Sequence, residues 1–436
     1  MTKRALFLSL ALIATVGSVP PVKAQVEPRP NILIILTDDQ RKDMMTVMES
    51  TRAIFDEGGI RYRNGVATTP LCCPSRSSIF SGQYVHNHGV IDNKDSTRLD
   101  QTHTIQYQLQ RAGYLTALNG KYLNGWDGDP PYFNRWNVLR NTQHYFDGTA
   151  NLDGTTVTFQ GYQTTWLARQ SAAFLDFFED DDVRPWMMQV SPGAPHVPAT
   201  TTPRYEDAFV PPFAALPSRG EDVSDKYSFV RNRDSPLWQS RRSWIRMNRS
   251  LYPVDNLIAA VFRQLESRGE ADNTLAFFLS DNGFQLYEHN VWGKVWPYSE
   301  TLRIPFYVRW PGHISAGAVE RKVVANIDIA PTIYEAAGIA PDYVVDGQSI
   351  FSSRRTRIYA EMFPVGDGGI WGWEQMWSPR EQYIRYPDYD KREAYETDRY
   401  QTTNLFKDGV AGNEPDSLRY DALLDRLATC AGATCP

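Results

Sequence analysis

The sequence predicts an α/β protein with a large mixed, mostly parallel central sheet and a smaller antiparallel C-terminal subdomain. Three observations carry that expectation. Continuous apolar runs such as Asn31 to Leu36 and Thr274 to Leu279 suit strands buried on both faces, as in parallel sheets. The stretch from Asp255 to Arg268 spaces its apolar residues helically and leads into the second of those runs, which makes an α/β unit. Beyond Asp346-Gly347 the runs become short and polar, with Tyr383-Ile384-Arg385-Tyr386 the clearest. The expected divisions are residues 1–24, 25–345 and 346–436.

Met1 to Ala24 reads as a secretory signal. Lys3 and Arg4 precede the apolar stretch Ala5 to Val16, and Val22-Lys23-Ala24 offers a small-residue cleavage site. The run is too short to span a bilayer comfortably, so an exported protein without stable membrane insertion is expected, periplasmic or extracellular. An uncleaved N-terminal anchor is the alternative. In an oxidising compartment Cys430 and Cys435 could close a small loop. A net charge of −6, with both signs well represented, gives no sign of a nucleic-acid partner.

The first strand, Asn31 to Leu36, empties into Thr37-Asp38-Asp39. Functional groups collect beyond the carboxyl ends of strands in open α/β sheets. Adjacent carboxylates repel, so a strand end bearing two of them is best explained by a cation between them; the plain alternative is a solvated turn. Next comes Pro70 to Gly82, P-L-C-C-P-S-R-S-S-I-F-S-G. Pro74 disfavours helix at Cys73, so Cys72 and Cys73 are expected in an extended or turning segment. A helix after Pro74 would bring backbone N–H groups and Arg76 near Cys72, a setting suited to an anion. The pair could equally be buried free thiols, half of a zinc site or disulfide partners.

A strand over Ala112 to Leu118 delivers Lys121 between Gly120 and the turn at Asn124-Gly125, a sharper setting than a surface lysine needs. The strand Pro185 to Val190 opens into Ser191-Pro192-Gly193-Ala194-Pro195-His196-Val197-Pro198, where prolines on both sides stiffen the backbone that presents His196. Thr200 to Arg249 reads as an irregular insertion at a substrate entrance. The strand Thr274 to Leu279 then ends in Ser280-Asp281-Asn282-Gly283, repeating the layout at Asp38-Asp39. Gly293-Lys294 follows, then a strand at Ile304 to Val308 and a capped helix from Asn326.

Taken together, N-I-L-I-I-L-T-D-D-Q, C-C-P-S-R, G-Y-x-T-A-L-x-G-K-Y, A-P-H-x-P and S-D-N-G resemble, in order, the motifs of type I sulfatases. The resemblance runs from about residue 30 to 340. Together with Y-V-H-N-H and G-K-Y-L-N, it leans towards the N-acetylglucosamine-6-sulfatase and heparan-sulfatase branch. It implies an alkaline-phosphatase-like sandwich, with Cys72 oxidised to formylglycine by a formylglycine-generating enzyme. It also implies one calcium ion held by Asp38, Asp39, Asp281, Asn282 and the formylglycine at 72.

Arg76, Lys121, His196 and Lys294 carry over as the sulfate clamp, with His196 and Lys294 as proton donors near the leaving oxygen. A sulfate monoester is a weak electrophile wrapped in negative charge, so its oxygens must be neutralised and its nucleophile must be strong. The hydrated aldehyde has two hydroxyls, one to attack sulfur and one whose deprotonation expels sulfate. One departure stands out: many sulfatases carry a histidine two positions beyond the lysine, and here that place is Leu123. Asn124, His86 and His88 are the nearby substitutes in sequence. The expected activity is removal of sulfate from a sulfated sugar; a broad arylsulfatase and a phosphodiesterase or phosphonate hydrolase are the alternatives.

Overall fold

The structure, a computed structural model, describes residues 29–213, 216–231, 236–365 and 371–436. The proposed secretory signal lies outside the described residues. Among the described residues sixteen strands follow in chain order: β1 Asn31–Thr37, β2 Gly59–Val66, β3 Leu115–Gly120, β4 Arg135–Leu139, β5 Phe146–Leu152 and β6 Thr155–Tyr162 come first. Then come β7 Trp186–Ser191, β8 Thr274–Ser280, the short pair β9 Gln285–Leu286 and β10 Trp292–Gly293, β11 Phe306–Arg309 and β12 Ala318–Ala325. The last four are β13 Ile358–Met362, β14 Trp373–Trp377, β15 Glu381–Tyr386 and β16 Lys391–Glu396.

Ten strands form one sheet in the order β12-β2-β11-β8-β1-β7-β3-β4-β5-β6. Its centre, β8-β1-β7-β3-β4, is parallel throughout. The expected mostly parallel sheet is therefore present, with antiparallel pairings on either side of that centre, at β11 and at β5 and β6. Every residue of β1 is buried. Its alternating side chains divide between two cores: Leu33 and Ile35 face the one that holds the helix Leu237–Arg268. Ile32, Ile34 and Leu36 face the other, with Ile79 and Phe80 of the helix Cys72–Ser81. A strand sandwiched this way has no polar face to present, hence the unbroken apolar run. Truncating one such side chain to alanine costs about 2–5 kcal/mol.

The Thr200 to Arg249 stretch is less irregular than expected. A helix runs unbroken from Leu237 to Arg268 with Pro253 inside it. Proline removes one N–H from the ladder and would leave the Arg249 carbonyl without its donor. Here Thr201 Oγ1 donates to that carbonyl at 2.9 Å, and apolar burial of Leu251, Val254, Leu257 and Ile258 holds the helix through the defect. The strand expected at Ala112 to Leu118 begins instead at Leu115, because Gly113 turns the chain with φ +91°. It extends to Gly120, which puts Lys121 immediately beyond the sheet.

The C-terminal sheet β13-β14-β15-β16 is antiparallel throughout, as expected. It is tied to the segments following β2 and β10 by Glu361 N–H donating to the Thr68 carbonyl (2.9 Å) and Trp373 Nε1 donating to the Val295 carbonyl (2.8 Å). Cys430 and Cys435 form a disulfide, and the Cys430 carbonyl accepts from Asn87 Nδ2 at 2.8 Å.

Candidate active site

The parallel pairing of β1 with β8 places Thr37 beside Ser280, so the two strands end at the same level. Asp38 and Asp39 then emerge next to Asp281 and Asn282, all four fully buried. The junction is stitched by Asp39 N–H donating to Asp281 Oδ1 (3.1 Å) and Gln40 N–H donating to Ser280 Oγ (2.8 Å). Asp39 holds φ +63°, a left-handed conformation that a non-glycine residue keeps only when its surroundings impose it.

Above these strand ends sits the helix Cys72–Ser81. The expectation of an extended Cys72-Cys73 segment is corrected here: the helix starts at Cys72, and Leu71 is the last extended residue. Pro74 falls in the first turn, where its missing N–H has no intrahelical acceptor to lose. The donors left open at that end are few, and Cys73 N–H is met by Asn93 Oδ1 at 2.9 Å. Ser75 of the C-x-P-S-R run donates its hydroxyl to the Asp281 carbonyl and accepts from Asn326 Nδ2 at 2.9 Å. The helix is thus fastened to the end of β8.

Cys72 is 1% exposed, with Sγ 3.4 Å from Asp38 Oδ1, 3.9 Å from Asp39 Oδ1 and 2.6 Å from Lys294 Nζ. One turn on, Arg76 donates Nε to Asp281 Oδ2 (2.8 Å) and Nη1 to the Lys121 carbonyl (3.0 Å). Its Nη2 is buried and has no partner. Lys121 Nζ lies 2.7 Å from Asp38 Oδ2, and Lys294 Nζ lies 2.6 Å from Asp39 Oδ1. Gly120 precedes Lys121 with φ +118°, and a Cβ there would lie 2.1 Å from the Ser191 carbonyl oxygen. Only glycine allows Lys121 N–H to reach that carbonyl at 2.8 Å.

His196 projects from the loop after β7, with Nε2 3.5 Å from Asp39 Oδ2. Its Nδ1 bonds the Val197 carbonyl at 2.6 Å, which leaves Nε2 facing the cluster. Tyr145 Oη holds the loop by donating to the His196 carbonyl at 2.6 Å. All nine residues singled out in the sequence therefore meet at one place.

The two histidines offered in place of the one missing at Leu123 do not. Leu123 itself is core. His86 bonds Glu361 (2.9 Å) and the Cys430 carbonyl (2.9 Å), bracing the C-terminal subdomain. His88 accepts from Val90 N–H at Nδ1, so its Nε2–H donates to Ser78 Oγ at 3.0 Å; burial pulls it down to about 3 and keeps it neutral. His196 is the histidine that touches the cluster.

Three carboxylates meet three cations here, and the balance sets their titration. Burial works against ionised Asp38, but Lys121, then His196, Arg76 and Lys294, hold its carboxyl far below the usual range. Asp281 is pushed up, by burial and by the Asp38 charge, despite Arg76. Burial also pushes the Cys72 thiol well up, so it is protonated as it stands. One oxygen each of Asp39 (Oδ2) and Asn282 (Oδ1) is buried without a hydrogen-bond partner. Asp38, Asp39, Cys72 and Asp281 bring ligand atoms within 4.8 Å of one another. Hard oxygen donors converging on one point, two of them unsatisfied, fit a hard divalent cation.

A family model described as Sulfatase matches residues 30–339, and the chain belongs to the sulfatase family. An extracellular sulfatase SULF-1 homolog of Drosophila melanogaster is 33% identical over 352 residues, covering 74% of this chain and 31% of that protein. The N-acetylglucosamine-6-sulfatase of Homo sapiens is 31% identical over 346 residues, covering 71% of this chain and 61% of its own. This chain thus spans 31% and 61% of the length of those two relatives. A solved structure in complex with its substrate, D-glucosamine-2-N,6-O-disulfate, superposes with a TM-score of 0.81 at 22% identity, covering 92% of this chain and 97% of that one.

The sequence reading missed the groups that hold the site from behind. Asn93, Tyr145 and Asn326 carry no chemistry of their own; the sequence marks Asn326 only as the start of a helix and leaves the other two unmarked. The serine of C-x-P-S-R was the one visible signal.

Proposed function

We propose that this protein removes sulfate from a sulfated carbohydrate of the N-acetylglucosamine-6-sulfate or glycosaminoglycan type, with Cys72 acting as formylglycine. One observation carries the reading: Cys72 opens a helix while facing Asp38, Asp39 and Lys294, with the unpartnered Nη2 of Arg76 one turn away. The sugar class is supported by the human relative and the shared G-K-Y-L-N and C-C-P-S-R runs.

Asp38, Asp39, Asp281 and Asn282, with residue 72, would hold a calcium ion. Formylglycine and calcium together supply a strong oxygen nucleophile and neutralise charge on the sulfate. The rest of the work belongs to this chain's own side chains. Arg76 Nη2 donates to a sulfate oxygen, which costs nothing because the donor is already desolvated. Lys121 and Lys294 offset the anion, and Lys121 keeps Asp38 ionised beneath it. His196, locked by the Val197 carbonyl, holds a proton on Nε2 for the departing sugar oxygen. With core at Leu123, the same His196 returns as the base of the second step.

Residues 25–345 form the catalytic part and 346–436 the subdomain that braces it. Export with cleavage after residue 24 fits the extracellular relatives, and no helix among the described residues is long and apolar enough to cross a membrane. The test compares kcat/KM for 6-O-sulfated N-acetylglucosamine, a glycosaminoglycan fragment and nitrophenyl sulfate. Peptide mass analysis of residue 72 goes with it. Preference for the sugars with an aldehyde at 72 is the expected result. Full activity with an unmodified thiol would sink the mechanism, and a preference for the aryl ester would sink the sugar assignment alone.

A further inference from the structure

The second concentration of charge in the molecule lies away from Cys72. A cleft of about 1130 Å³ opens where β2, β11 and β12 meet the turn between β14 and β15. Of the described residues lining it, twelve are lysine or arginine and two are acidic. None of the candidate active-site residues lines it. In a chain with net charge −6 this is a strong local excess.

The cations there are nearly unpaired. Among the described residues only Arg355 of the twelve makes an ion pair, with Asp328 at 2.7 Å. One of the two acids, Asp43, is already engaged by Arg41 outside the cleft. Arg355 is 7% exposed, and its Nε and Nη1 are buried with no partner. The Nε groups of Arg52, Arg61 and Arg303 and the indole N–H of Trp377 are unpartnered as well. Burial and the cationic charges of Arg303, Arg63, Arg61 and Arg399 pull Lys42 down to about 6. Buried donors left open in such numbers carry a desolvation cost that bound anions would remove.

The shape narrows the ligand. The volume exceeds the ~300–1000 Å³ of a small-molecule site, and a single sulfate or phosphate would satisfy only one or two arginines. A chain bearing anions at short intervals would satisfy many. A single-stranded nucleic acid would need exposed rings on which to stack its bases. The lining rings of Tyr62, Phe306, Tyr307 and Trp377 are 4% exposed or less. A sulfated glycan needs guanidinium forks rather than open rings.

We propose that this cleft is a secondary binding site for a sulfated polysaccharide, holding a stretch of chain apart from the sulfate being removed at Cys72. The choice of glycan rests on the sulfated-sugar reading above. Such a site raises the effective concentration of further sulfates on the same chain.

The probe is a heparin-type octasaccharide, titrated by calorimetry at low and at physiological salt. The variant is Arg354→Glu/Arg357→Glu/Arg380→Glu, three exposed side chains with no ion pair. Arg63→Gln, also exposed, is the milder second variant. Expected is an affinity loss of about tenfold or more for the triple variant, with a shallower salt dependence, and a smaller loss for Arg63→Gln. KM for desulfation of the octasaccharide should rise, while kcat/KM on 6-O-sulfated N-acetylglucosamine stays unchanged. Wild-type affinity in both variants overturns the proposal, and so does equal affinity for a single-stranded oligonucleotide of matched charge. Arginine-dependent octasaccharide binding by a protein that releases no sulfate from any sugar would keep the cleft and remove the sulfatase reading.

Discussion

The two charged regions of this molecule collect cations for opposite purposes. Around Cys72, Arg76, Lys121 and Lys294 each touch a carboxylate at 2.6–2.8 Å, and the three acids balance the three bases. In the cleft beside β12, one of twelve cations is ion-paired among the described residues, Arg355 with Asp328. Paired charges hold their ionisation and geometry in a dry interior, which suits chemistry at one atom. Unpaired charges repel each other and await partners, which suits binding of many anions. The local ratio of acids to bases separates the two regions where the count of cations does not.

The largest effect that would test this contrast is at Cys72. Cys72→Ala should lower sulfate release by at least about 10⁴-fold, as removal of a nucleophile does, and leave octasaccharide affinity untouched. Cys73→Ser should keep most activity, because Cys73 packs in the core and not against the carboxylates. Retained turnover in Cys72→Ala breaks the comparison at once.

Next comes the metal. Exhaustive chelation, or Asp281→Ala, should cost roughly 10³-fold in kcat/KM, with calcium restoring the chelated protein and not the variant. Elemental analysis checks occupancy alongside the rate. Arg76→Lys follows: it keeps the charge but loses the fork that joins Asp281 to the Lys121 carbonyl. A loss of about 10²-fold in kcat/KM is expected. The measurement is steady-state kinetics on the sulfated monosaccharide.

The smallest effects lie in stability against pH, and there the paired and unpaired kinds differ in sign. His289 is fully buried between Glu221 (2.6 Å) and Glu300 (3.5 Å), which raise it to about 9 against the penalty of burial. Its contribution is complete below pH ~6.5 and fades as pH rises through about 9. Lys42 is the reverse: with its ammonium pulled down to about 6, the unfolded chain binds the extra proton above that pH. Stability from this group therefore rises with pH from about 6 towards its ordinary value. Melting curves across that range should flatten in His289→Gln and lose the opposite slope in Lys42→Met. Identical slopes in both variants would erase the distinction.

The central strands and their polar ends were legible because a strand buried on both faces has no alternative to a continuous apolar run. The polar residue that follows it is equally plain. For the same reason Asp38, Asp39, Asp281, Asn282 and Lys121 could be read one by one. The edge strand β12 and its neighbour β2 were not legible: their charged residues Arg61, Arg63, Arg321 and Lys322 line the cleft and leave no continuous apolar run. The helix from Leu237 was hidden by Pro253, since the hydroxyl that covers Arg249 comes from Thr201, 48 residues away. The start of the helix at Cys72 was hidden too. A rule about proline neighbours gave way to Asn93 and to the packing of Ile79 and Phe80. Local rules failed where distant partners decided the backbone.

The depth of Cys72 has a consequence for how the protein is made. In the finished fold Cys72 is 1% exposed, in the first turn of a helix whose other residues are all buried. A modifying enzyme needs accessible chain around its target, and freeing it here would mean lifting this helix from the core in which its Cys73, Ile79 and Phe80 are packed. Under the proposed formylglycine mechanism, oxidation of Cys72 would therefore compete with folding and would win only while the segment is still uncoiled. The fraction of active molecules would then follow the rate at which this chain folds relative to the rate of its maturation, and a faster-folding variant would emerge less active.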